Sequence, residues 1–81
     1  MKNARKRGHA RLMVRWPQRR AQLRLIPFDD PGLGDLFEAY ELAWEAAGYW
    51  AKIDTAAASE RTREYHALAI ATEEDILHRI S

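Results

Sequence analysis

Cysteine is absent from this 81-residue chain. Its absence excludes a disulfide framework, thiolate zinc ligands and a thiol nucleophile. Long apolar runs are also missing, so no segment reads as a transmembrane helix. The basic start is not followed by a secretory apolar region either, because Arg15 interrupts Leu12-Met13-Val14. Serine is scarce, and neither Ser59 nor Ser81 has a histidine beside it. Pro31-Gly32-Leu33-Gly34 lacks the following Lys-Ser/Thr, or the third Gly, that a phosphate-cradling loop requires. His66 and His78 are too far apart to share a metal on one helix, and the Glu74–His78 and Asp75–His78 pairs have no second pair to face. By elimination the expectation is a soluble, cytoplasmic protein, not an enzyme, with no cofactor, no metal and no membrane partner.

Acidic residues are the most telling shortage. Residues 1–24 contain none, against nine Lys and Arg, whereas residues 25–81 carry twelve acidic and four basic residues. The net charge of +1 hides this division. Segregation of that kind suggests a basic element meeting something anionic. The anion is either a nucleic-acid phosphate or the acidic part of the same chain or of a twin chain. Under the first reading Arg5, Lys6, Arg7, Arg11, Arg15, Arg19, Arg20 and Arg24 are the nucleic-acid-binding residues, with Trp16 a candidate stacking platform beside Arg15.

The apolar content is that of one foldable domain: 47% hydrophobic residues, with three Trp and three Tyr. Residues 1–9 show no apolar period and read as a flexible basic tail ending at Gly8, leaving 10–81 as a single small domain. Arg11-Leu12-Met13-Val14-Arg15-Trp16 alternates, as do residues 21–25, and Pro17 opens a turn between them. The pattern predicts a basic two-stranded hairpin over 10–26. Its inner face would carry Leu12, Val14, Trp16, Leu23 and Leu25, with Arg11, Arg15 and Arg24 turned outward. A rival reading makes Pro17 the first residue of a short helix running to Ile26.

Breakers concentrate in the loop over 27–34. Beyond it the helical period predicts a long antiparallel helical hairpin over 35–80, so the expected fold class is α+β. In the first helix Leu33, Leu36, Phe37, Tyr40, Ala43, Trp44, Ala47, Trp50 and Ala51 share one arc, with Glu38, Glu41, Glu45 and Lys52 on the wet side opposite. Asp30 and Asp35 are both acceptable caps for it. In the second, Tyr65, Leu68, Ala69, Thr72, Ile76 and Ile80 line the packed face, widened on one side by Ile70 and Leu77, starting from Asp54 or Ser59. Leu42, Tyr49 and Ile53 form a further stripe expected to be a protein interface.

Arg11-Leu12-Met13-Val14-Arg15-Trp16-Pro17 resembles the strand-and-proline start of ribbon–helix–helix repressors, a likeness over seven residues that assigns no family. It implies paired strands with Arg11, Met13 and Arg15 reading the major groove. The functional expectation is a small binding protein. Its basic N-terminal element contacts nucleic acid or a nucleoprotein, while its acidic helices mediate assembly with a protein partner or as a homodimer. The alternative is a protein-interaction module, an inhibitor or adaptor, that docks on a partner and could block a nucleic-acid-binding groove.

Overall fold

The computed structural model describes residues 3–80; Met1, Lys2 and Ser81, with the parts of the expected tail and domain that fall on them, lie outside the described residues. Helix α1 spans Ala4–Arg15. A single 3-10 turn, Pro17–Arg19, leads into the short α2, Arg20–Arg24. Two long helices follow, α3 over Gly34–Ala51 and α4 over Ala56–Ile80.

The expected basic hairpin does not form, and the fold is not α+β: the described residues contain helices and no strand. The segment expected to be tail and first strand is α1. Arg, Lys, Ala, Leu and Met are strong helix formers, and the Asn3 side chain caps the first turn by accepting the Lys6 N–H at 3.0 Å. The helix ends where Pro17 pushes Trp16 out of the α region, to φ −123° and ψ 76°. The ribbon implied by the repressor likeness is therefore a helix here. Pro17 does open a short helical segment, close to the rival reading.

The reason for the strand misreading is visible in the burial. Leu12 and Trp16 are buried in both readings, being two full strand repeats or one helical turn apart. Val14 separates the two: it is 74% exposed, while Gly8 and His9, one turn before Leu12, are buried instead. Likewise Leu23 is buried but Leu25 is exposed, contrary to a shared inner face. Gly8 is not the end of a tail but the point where α1 comes closest to the α3 backbone. A Cβ there would lie 2.0 Å from the Phe37 carbonyl oxygen.

Asp30 organises the entry to α3. Its carboxylate accepts the N–H groups of Gly32 and Leu33, both at 2.9 Å, and its carbonyl accepts that of Gly34 at 2.7 Å. Residues 52–55 turn the chain into α4, whose first turn is capped by neither Asp54 nor Ser59 but by Thr55, with Oγ1 accepting the Ala58 N–H at 3.0 Å. Helices α3 and α4 pack against each other, and α1 packs on α3. Leu12, Trp16, Leu23, Leu33, Phe37, Tyr40, Ala43, Ala69 and Ile76 form one core shared by all four helices. Each of its large side chains contributes about 1.5–3 kcal/mol by burial. His9 fastens α2 to this core, its Nε2 lying 2.7 Å from the Leu23 carbonyl oxygen and its ring edge-on to Phe37.

Candidate functional site

Because α1 packs on α3, the face of α3 expected to be wet is covered at Glu41, while Glu38 and Glu45 stay partly exposed. Glu41 is only 4% exposed, and its carboxylate accepts hydrogen bonds from Arg7 Nε at 3.3 Å and Arg11 Nε at 2.8 Å. Arg7 also donates from Nη2 to Glu45 at 2.7 Å. Nearer the N-terminus of α1, Arg5 pairs with Asp35 at 2.7 Å and approaches Glu38 at 3.8 Å. These contacts answer a local problem. The first turn of α1 is crowded with cations at the positive end of a helix dipole, and carboxylates from α3 compensate them.

The other end of α1 reaches α4. Arg15 Nε donates to Glu73 at 3.2 Å, and Tyr40 Oη donates to the same carboxylate at 2.5 Å. Glu73 is buried, a role its sequence position gave no reason to expect. Burial pushes the Tyr40 phenol well above its ordinary pKa, and the bond to Glu73 adds to the effect. Burial opposes ionisation of Glu41, but hydrogen bonds from the overlying arginines outweigh it and hold the carboxyl below its usual value.

Between α1 and α3 runs an open groove of about 560 Å³. Ala10 and Val14 line it from α1, Tyr40 and Trp44 from α3, and Arg7, Arg11 and Arg15 form its rim. The Trp44 ring lies 5.1 Å from the His66 ring, and the Arg11 guanidinium carbon is 5.8 Å from its centroid, within cation–π reach. Trp44 Nε1 is buried and has no hydrogen-bond partner among the described residues.

The chain matches no protein-family model, no curated protein and no solved structure.

The eight basic residues singled out by the sequence divide into two groups. Arg5, Arg7, Arg11 and Arg15 pair with carboxylates of α3 and α4, so Arg11 and Arg15 do not simply face outward. Lys6, Arg19, Arg20 and Arg24 have no carboxylate within 4.0 Å among the described residues; Arg19 donates to Gln22 and Arg20 to the Met13 carbonyl. Trp16 is buried in the core rather than presented as a stacking platform. Leu42 and Tyr49 are exposed on α3, and Ile53 is half-buried in the turn after it. No three metal-ligating side chains converge among the described residues, and no described helix is long and apolar enough to cross a membrane.

Sequence reasoning missed Val14, Glu41 and Glu73 as site residues. One signal was available: Arg7, Arg11 and Arg15 repeat every four residues, as do Glu41 and Glu45. Arg7 and Arg11 of the one row meet Glu41 and Glu45 of the other, while Arg15 reaches Glu73 on α4.

Proposed function

We propose that this chain is a non-enzymatic binding protein that docks on a partner protein through the groove between α1 and α3. The observation that carries the reading is Val14, 74% exposed and lining the groove together with Ala10, Trp44 and Tyr40. A lone exposed valine means little. An exposed valine in a concave site built from Trp, Tyr and three Arg has the composition of an interface centre, where those residue types are enriched.

The test compares the wild-type chain with Val14→Asp in affinity capture from nuclease-treated extract of the source cells. A bound protein retained by the wild type and by Arg24→Gln, but lost by Val14→Asp, supports the groove. Equal retention by Val14→Asp sinks it.

Nucleic-acid contact through Lys6, Arg19, Arg20 and Arg24 is the second reading, favoured by one observation: these cations lack a carboxylate partner. On this reading mobility shift with duplex DNA is salt-dependent. Changing the four residues to Gln lowers the log–log salt slope by about 0.9 for each phosphate no longer neutralised. Val14→Asp leaves that binding unchanged.

A further inference from the structure

We infer that the occupant of the groove is an amphipathic helix of a partner protein carrying a row of Asp or Glu, spaced one turn apart, along one edge of its apolar stripe. The inference rests on the groove reading proposed above and adds the chemistry of the partner.

Charge layering supports it. The carboxylates that hold the rim lie underneath: the side chains of Glu41 and Glu73 are 5% and 6% exposed. The guanidiniums they hold lie on top, with Arg15 56% exposed. Arg15 gives only its Nε–H to Glu73, so the four N–H groups on its Nη atoms have no partner among the described residues. Arg7 and Arg11 are each anchored through Nε and Nη2, leaving Nη1 free. A partner approaching the groove therefore meets guanidinium edges, with Glu45 the one partly exposed carboxylate among their ion-pair partners. Those edges are already oriented, so little side-chain entropy is lost when a carboxylate binds them.

Spacing supplies the second argument. Arg7, Arg11 and Arg15 sit at successive turns of α1, each about 6 Å along the axis from the last. A helix lying alongside α1 presents carboxylates at the same interval from positions i, i+4 and i+8. Its apolar side chains, on the neighbouring stripe, then meet Ala10, Val14 and Trp44, the usual mode for a helix laid in a groove.

Three synthetic peptides about fifteen residues long, stapled to keep them helical, carry the same Leu stripe with a flanking row of Glu, Gln or Lys. Binding is read by fluorescence anisotropy. The Glu peptide is expected to bind about tenfold tighter than the Gln peptide, with the Lys peptide weakest, and the advantage should shrink at high salt. Val14→Asp, whose fold is checked by circular dichroism, should abolish binding; Arg15→Gln should narrow the gap between the Glu and Gln peptides; Arg24→Gln should change neither.

Equal affinity for the Glu and Lys peptides, lost in Val14→Asp, would overturn the acidic partner while leaving the groove reading intact. No binding by any peptide, or Glu-peptide binding that survives Val14→Asp, would overturn both. Sedimentation provides a further check: a wild-type dimer that becomes monomeric in Val14→Asp would make a second copy the occupant and overturn the inference. Displacement of the Glu peptide by duplex DNA would overturn it in favour of a nucleic acid.

Discussion

Glu41 and Tyr40 are adjacent in sequence, and each lends the fold a pH dependence of opposite sense. The Glu41 carboxyl is held below its ordinary value when folded, so its contribution is present above the unfolded value of about 4.3 and is lost as pH falls through the folded one. The Tyr40 phenol is held above its ordinary value. Its contribution is complete below the unfolded value of about 10 and is lost as pH rises beyond it, because only the unfolded chain can then release the proton. Thermal melts across pH should show both limbs. Glu41→Gln should flatten the acid limb and leave the alkaline one; Tyr40→Phe should do the reverse. An unchanged profile in either variant would show that the ion-pair and hydrogen-bond network does not hold these groups as described.

At the scale of elements, glycine marks the difference between a close helix contact and an open helix surface. Gly8 and Gly48 both lie inside helices, where glycine costs about 1 kcal/mol relative to alanine. Gly48→Ala meets no atom within 4 Å. It should therefore stabilise by about 0.5–1 kcal/mol, raising the melting temperature by several degrees. Gly8→Ala gains the same propensity but drives a methyl into the Phe37 carbonyl, and backbone cannot swing aside as a side chain can. Helices α1 and α3 must separate, so the net effect should be a loss of about 2 kcal/mol or more. If Gly8→Ala instead melts higher than the wild type, the close contact is wrong.

The whole molecule depends on α1 more than the reading of a basic tail suggested. Leu12 and Trp16 fill the core, and ion pairs from Arg5, Arg7, Arg11 and Arg15 join α1 to α3 and α4. A chain beginning at residue 17 would expose Phe37 and Tyr40 and leave Glu41 and Glu73 without their arginines. In a domain this small, with little stability to spare, that loss should abolish the cooperative thermal transition rather than lower its midpoint. Residual helicity without a sigmoidal melt is the expected outcome in circular dichroism. A truncated chain that melts cooperatively near the wild-type temperature would return the segment to the role of a dispensable arm.

Legibility in the sequence followed the length of each periodic segment. The long arcs of α3 and α4 could be read because Phe37, Tyr40, Ala43, Ala47, Ala69, Thr72 and Ile76 repeat over many turns. So could the segregation of charge, which is a matter of counting. Residues 10–26 could not be settled, because six residues with apolar groups at 12, 14 and 16 satisfy a period of two while 12 and 16 alone satisfy a helical turn. Deciding between them takes the surface that Leu12 packs against, and that surface is α3. The site was less legible still. The likeness of Glu38, Glu41 and Glu45 to a solvated stripe is correct for α3 in isolation. Sequence by itself determined that a basic row and an acidic row exist; only the tertiary structure decided that they face each other. Packing α1 on α3 at Gly8 buries Glu41, sets the guanidiniums at the rim of the groove and leaves Val14 exposed in its lining.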